Sequence, residues 1–124
     1  MIEIRDGERV TPFEFAGGAL SKDELEATLP AVQSAPVDGG RLVGIIIRPD
    51  RDLRLRADAC VLTPEEGIPG DRWARHCNRR LPDGRLNPDT QLTLMNTRFL
   101  APLAGSPERW PLAGDNLLVD LDLR

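Results

Sequence analysis

The chain has 124 residues, 40% hydrophobic and 29% charged, with 11 glycines and 11 prolines; this balance fits one globular domain and excludes disordered and collagen-like chains. A formal net charge of −4 argues against a general nucleic-acid binder, which needs a concentrated positive face, and no apolar run approaches the roughly 20 residues of a membrane-spanning helix. Two cysteines, Cys60 and Cys77, are too few for a disulfide framework, and the charged start MIEIRDGERV lacks a signal peptide's apolar stretch, so a reduced, cytoplasmic protein is expected.

Residues 1–40 read as an N-terminal extension. Ile2 and Ile4 alternate, Asp6-Gly7 turns and the chain returns through Val10, a hairpin pattern. Ser21 and Glu24 form a capping box, flanked by Leu20 and Leu25 as a hydrophobic staple, which starts a helix. Leu25, Leu29 and Val32 continue its apolar face, and Pro30 predicts an end or a kink near Leu29. Residues 34–40, SAPVDGG, are a turn-rich seam before the main unit, residues 41–124.

Within that unit, LVGIII at 42–47 predicts a strand buried on both faces and stopped by Arg48-Pro49. Residues 54–62 alternate, with Leu55, Ala57, Ala59 and Val61 on one face, a strand period that a helix cannot use. Residues 64–89 form a long irregular connection of the kind that carries function. QLTLM at 91–95 predicts a short strand, Asn96 an N-cap, and Pro102 a limit to the helix that follows. LLVDLDL at 117–123 alternates, with Leu117, Val119, Leu121 and Leu123 inward. The expected fold is α+β, mainly β, a barrel-type sheet with a few short helices; the alternative is an open mixed sheet with helices on one side.

Chemistry is sparse. There is no glycine-rich phosphate loop and no paired CxxC, and His76 is the one histidine, so no metal site is expected. Of 16 basic residues only Lys22 is a lysine, and Arg72, Arg75, Arg79, Arg80 and Arg85 crowd one segment. That cluster reads either as a solvated loop or as guanidinium forks for a phosphate or carboxylate on a small ligand. Cys77, beside Arg75, His76, Arg79 and Arg80, is set to have a lowered thiol pKa if exposed. Gly67 and Gly70 bracket Ile68-Pro69, so Asp71 and Arg72 are presented from a constrained turn, able to face an anion or simply to hold the turn. Asn116, after Gly114-Asp115, can bond a ligand or close a turn.

In order, the strand LVGIIIRP at 42–49, GIPGDRW at 67–73, QLTLMN at 91–96 and WPLAGDNLLVDLDL at 110–123 resemble the MOSC domain, named for the C-terminal domain of molybdenum cofactor sulfurase. The resemblance implies a β-barrel-like fold and a role in handling molybdenum cofactor (molybdopterin) or sulfur carried on a cysteine, with reduction of N-hydroxylated compounds in some members. It assigns Gly70, Asp71 and Arg72 to the cofactor-side loop, Asn96 to orienting the loop after its strand, and Asn116 to the neighbourhood of the pterin or phosphate. Pyridoxal phosphate is implied only through a separate sulfurase domain.

The family's reactive cysteine follows the strand that resembles LLVDLDL, whereas this sequence stops at Arg124, and neither Cys60 nor Cys77 takes its place. A truncated or degenerate copy is therefore expected, with an open sheet edge that favours a homo-oligomer. The competing reading is a non-catalytic module that binds a small anion or a partner through the Arg72–Arg85 loop.

Overall fold

The computed structural model describes residues 8–9 and 20–124. Five strands, β1 (Glu8–Arg9), β2 (Arg41–Ile47), β3 (Leu53–Ala57), β4 (Leu94–Asn96) and β5 (Leu117–Asp120), form a sheet in the order β1-β3-β2-β5-β4. Among the described residues three helices accompany it, α1 (Lys22–Gln33), the single turn α2 (Trp73–His76) and α3 (Thr97–Ala104); all strand neighbours are antiparallel except β4 and β5, whose parallel pairing is bridged by α3 and a 3-10 turn over Pro107–Ala113. The architecture is α+β with an open mixed sheet. Of the hairpin expected over residues 2–10, all but Glu8 and Arg9 lies outside the described residues; those two pair with β3, Glu8 opposite Arg54 and Arg9 opposite Leu53.

The β-branched run of β2 is buried on both faces, as its composition predicts, but only in its second half. Ile45 and Ile47 pack with Ala57 and Ile68, while Ile46 packs with Leu100, Ala104 and Leu118. The first cluster is closed by the loops after β3, and the second by α3. β5 is likewise covered on both sides. Leu118, on the face opposite Leu117, is 1% exposed, so the expected inward set of Leu117 and Val119 is only half of its buried surface.

Three strands are shorter than predicted, which removes the mainly β balance. β3 ends at Ala57 opposite Ile45; the next step would bring Asp58 to Gly44, where the ladder of β2 with β5 shifts register. Val61 and Leu62 are accordingly exposed. β4 begins at Leu94 because its partner begins at Leu117, and β5 stops at Asp120 as the Asp122 N–H turns away to the Pro36 carbonyl. Alternation marks which residues can be strand, but a strand extends only as far as a neighbour supplies hydrogen-bond partners.

Helix α1 (Lys22–Gln33) starts at its capping box: Ser21 Oγ accepts from the Glu24 N–H at 3.2 Å, and Glu24 Oε2 accepts from the Ser21 N–H at 2.7 Å. It does not end at Leu29. The helix continues past Pro30 because its last carbonyls receive donors from far along the chain: Arg98 Nη1 on Ala31 (3.1 Å) and Arg124 Nη2 on Gln33 (3.3 Å), with the Ser34 N–H and hydroxyl both on Pro30. Cations at a helix C-terminus also suit its dipole. Pro102 is similarly accommodated inside α3, whose last turn closes with the Gly105 N–H on the Ala101 carbonyl.

Two outcomes are expected. Ile46→Ala removes a fully buried side chain shared by β2 and the α3 cluster, and chemical denaturation should show a loss of about 2–5 kcal/mol. The Asp122 carboxyl, hydrogen-bonded by the Arg124 side chain and backbone, titrates at about 2 rather than 3.8. A depressed carboxyl stabilises the fold above its unfolded-state pKa, and that contribution fades as pH falls from about 4 towards 2. An NMR titration of Asp122 should inflect near the lower value; an inflection near its ordinary value would show that Arg124 does not pair with Asp122.

Candidate functional site

The end of β2 and the loops around it enclose a cleft of about 590 Å³. Arg48, Arg54, Arg72 and Arg79 line it together with Trp73, His76, Cys77, Asp89, Thr90 and Leu92, and the backbone at Ala113-Gly114 forms one margin. The arginines arrive from β3, from the residue just past β2 and from the connection 64–89, so the cationic surface is assembled from segments distant in sequence.

The cleft rests on a buried polar network. Asp71, 4% exposed, accepts through Oδ1 from the Arg48 N–H (2.7 Å), Arg48 Nε (3.2 Å) and Asn116 Nδ2 (3.2 Å), and through Oδ2 from Arg48 Nη2 (3.1 Å) and the Trp73 N–H (3.3 Å). Asn116, fully buried, donates from Nδ2 to the Ile46 carbonyl as well (3.1 Å) and accepts at Oδ1 from the N–H and hydroxyl of Thr93, both at 3.3 Å. Arg48 completes the set by donating to the Gly114 carbonyl at 3.0 Å. A carboxylate this deep in the protein is tolerated because a guanidinium and neutral donors meet both of its oxygens. The network ties the end of β2, the turn at 67–73 and the start of β5 into one unit.

The turn is built as its glycines predict. Gly67 has φ +68°, and a Cβ there would stand 2.7 Å from Gln91 Cγ; Gly70 has φ +93°. Between them Ile68 is 1% exposed and packs into the first core cluster, with Ile45, Ile47 and Ala57, which anchors the turn.

Of the residues singled out from the sequence, Arg72 lines the cleft, Gly70 shapes its turn, and Asp71 and Asn116 stand beneath it with their polar atoms committed to the protein. Asn96 stands apart: its Oδ1 accepts from the Arg98 N–H at 2.8 Å as the N-cap of α3, and its Nδ2 donates to the Leu121 carbonyl at 2.9 Å. Arg75, Arg80 and Arg85 are not among the lining residues; they bond the Pro49 carbonyl, the Gly84 carbonyl and Asp83.

Sequence reasoning passed over Arg48 and Arg54. From the sequence, Arg48 marks a strand stop and Arg54 opens the alternating run 54–62, and neither spacing points to a site. The available signal is that Arg48 and Arg54 flank the turn between the apolar run 42–47 and the alternating run from residue 54.

The two cysteines occupy different environments. Cys60 packs against the first core cluster, and burial raises its thiol pKa. Cys77 lines the cleft, its Sγ 3.3 Å from the Arg79 carbonyl and 3.7 Å from Thr90 Oγ1. Desolvation pushes its pKa up, but hydrogen bonding from Thr90 and the backbone, with the charge of Arg80, brings the balance below the ordinary value. Burial also raises the Asp115 carboxyl, against a hydrogen bond from Thr93 and the charge of Arg48. Among the described residues no three His, Cys, Asp or Glu side chains group so as to hold a metal ion, and no helix is long and apolar enough to cross a membrane.

Comparison with protein-family models, with curated proteins and with solved structures returns no match.

Asn116→Ala strips Asp71 and the Ile46 carbonyl of a buried donor and leaves Thr93 unanswered, so unfolding should show a loss of about 2 kcal/mol or more, well beyond an ordinary surface change of about 0.5 kcal/mol. Iodoacetamide at neutral pH should label Cys77 ahead of Cys60, because the thiolate is the reacting form. Mass spectrometry of the digest reads the order, and equal rates would mean that the cleft does not activate the thiol.

Proposed function

We propose that this chain is a MOSC-type module whose arginine-lined cleft binds a small anionic ligand, with molybdenum cofactor the ligand that the resemblance implies. The observation that carries the reading is the convergence of Arg48, Arg54, Arg72 and Arg79 on one concave surface beside Trp73 and Leu92. Guanidinium forks suit phosphate and carboxylate groups, and an apolar wall suits the body of a small molecule. The ordered segments behind the resemblance support it too, since LVGIIIRP, GIPGDRW and GDNL meet around Asp71. On this reading the open sheet is the described portion of a barrel-type sheet.

The cleft passes a test of fit for the anionic end of such a cofactor. Arg72 and Arg79 line the cleft and form no ion pair with any described residue, so their guanidinium forks can meet an anionic group there. When bound, the cofactor supplies two-electron redox chemistry at its metal. The chain's own part is to hold the anionic end through Arg54 and Arg72, while Asp71 fixes the turn that presents Arg72. Pyridoxal phosphate does not fit: Lys22, the one lysine, lies exposed on α1 with Glu26 at 3.6 Å and is not among the cleft residues.

One observation favours the plainer alternative of a non-catalytic anion-binding module. The side chains best suited to orient or protonate a substrate, Asp71 and Asn116, already spend their polar atoms inside the protein. Binding without turnover needs only the guanidiniums.

Titration of released molybdenum cofactor against the protein, read by Trp73 fluorescence, tests the proposal. Binding should weaken about 10-fold or more in Arg72→Gln, the loss expected for one charge-assisted hydrogen bond. Absence of binding by the wild type refutes the cofactor reading. Reduction of an N-hydroxylated substrate by the loaded protein separates the enzyme from the binding module. Light scattering tests the accompanying proposal of a homo-oligomer formed through a sheet edge, which predicts a mass above 13.7 kDa.

A further inference from the structure

The arginines of the 72–85 segment do not act as one group. Arg72 lines the cleft, and Arg85 is neutralised by Asp83 at 2.6 Å. Arg75 and Arg80 stand outside the cleft and are exposed, with the exposed Arg79 at its margin between them in the chain. What holds Arg75 and Arg80 in place is a carbonyl in each case: Arg75 Nη2 donates to Pro49 at 2.7 Å and Arg80 Nη1 to Gly84 at 3.0 Å. A carbonyl fixes where a guanidinium stands and leaves its charge uncancelled. Arg48, Arg85, Arg98 and Arg124, by contrast, each lie within 3.1 Å of an aspartate oxygen. Arg75, Arg79 and Arg80 pair with no carboxylate of the described residues.

The backbone that carries them is tied on both sides. Trp73, 7% exposed, opens α2, and its Nε1 donates to Thr90 Oγ1 at 3.0 Å; Thr90 donates in turn to the Asn87 carbonyl at 2.8 Å. Arg80 bridges to Leu86, and the N–H groups of Leu81 and Gly84 close the hairpin on the Arg85 and Leu81 carbonyls, both at 2.9 Å. Charges displayed from a held backbone lose less freedom when a partner arrives. The formal net charge of −4 includes these three positive charges, so the remainder of the chain carries −7. A patch opposite in sign to the rest of the surface attracts and orients a complementary one.

We infer that Arg75, Arg79 and Arg80 form a docking surface for an acidic segment of a partner protein. Sequence spacing leaves Arg72–Arg85 as a single cluster, and the fold divides it into a cleft residue, a neutralised residue and this outer rim. The anionic end of a ligand inside the cleft is given above to Arg54 and Arg72, neither of which belongs to the rim. Carboxylates carried by a protein suit this rim better than a nucleic acid does. A nucleic acid is a long anionic track that needs positive charge spread along it, whereas this surface is three arginines wide, with Asp83 and Asp89 close behind it in the chain. One planar carboxylate satisfies one guanidinium fork, and Arg75 and Arg80 each keep nitrogens that no described residue engages.

Fluorescence anisotropy of labelled hexaglutamate, hexaserine and hexathymidylate with the full chain tests this. At low ionic strength hexaglutamate should bind and hexaserine should not, and the affinity should fall as salt approaches about 0.1 M, where charges are screened beyond about 10 Å. Arg75→Gln and Arg80→Gln together should weaken hexaglutamate about 10-fold or more, the behaviour of rim charges that steer a partner. Arg41→Gln, which removes a charge at the far end of β2, should leave binding unchanged. In the wild type, without any variant, hexaglutamate should slow the modification of Arg75 and Arg80 by phenylglyoxal, read by mass spectrometry, and should not protect Arg41.

No binding of hexaglutamate, or no protection of Arg75 and Arg80, overturns the inference. Hexathymidylate binding as tightly as hexaglutamate also overturns it, because the surface then answers to any polyanion. The double variant should still bind molybdenum cofactor as the wild type does; loss of both ligands would merge the rim with the cleft and overturn a separate docking surface. Cofactor binding without hexaglutamate binding overturns this inference alone, and hexaglutamate binding without cofactor binding overturns only the cofactor reading of the cleft.

Discussion

The Asp71 carboxylate is the group on which the rest of this structure depends. Its two oxygens receive five donors from three places in the chain: the backbone and side chain of Arg48 at the end of β2, the N–H of Trp73 just after Asp71 itself, and Asn116 at the entry to β5. A buried negative charge is stable only where donors surround it, so these segments cannot move apart without exposing an unpaired charge. The sheet contributes hydrophobic burial on both faces of β2. The carboxylate determines how the loops at its end are set.

That arrangement links fold to site. Asp71 holds one guanidinium, Arg48, and by fixing the turn it presents another, Arg72, to the cleft. Asn116 supports it from the opposite side and leaves no polar atom for a ligand. The cleft therefore has two layers: a neutralised, fully bonded base, and above it arginines that meet no carboxylate of the described protein. Charges left uncompensated in a concave, partly desolvated place disfavour the folded state unless a ligand meets them, which is the usual trade between stability and a binding surface.

The same economy of long-range contacts governs the periphery. α1 has no buried residue, yet it runs through a proline because Arg98 and Arg124 reach its terminal carbonyls. Those arginines are in turn held by Asp120 and Asp122 at 2.7 Å. Local rules predict an end or a kink near Leu29, and distant side chains carry the helix on to Gln33. An isolated peptide of this sequence would lack those donors.

Read alone, the sequence determined the features that depend on near neighbours. The capping box at Ser21 and Glu24, the N-cap at Asn96, the doubly buried run of β2 and the glycine turn ahead of Asp71 are all decided by a few adjacent side chains or by a backbone angle that only glycine adopts easily. The strand ends, the parallel pairing of β4 with β5 and the open sheet were decided by tertiary structure, because a ladder stops where its partner stops. The candidate site divides along the same line. Arg72 and its turn were legible; the lowered Cys77 thiol was expected from its charged neighbours, whereas hydrogen bonds with Thr90 and the backbone outweigh Arg80, the one charge that contributes. The burial of Asn116 beneath the cleft, and the gathering of Arg48 and Arg54 with residues of the 64–89 connection, were not. Which charges are neutralised and which are left for a ligand depends on distances across the fold, and one-dimensional spacing carries no record of them.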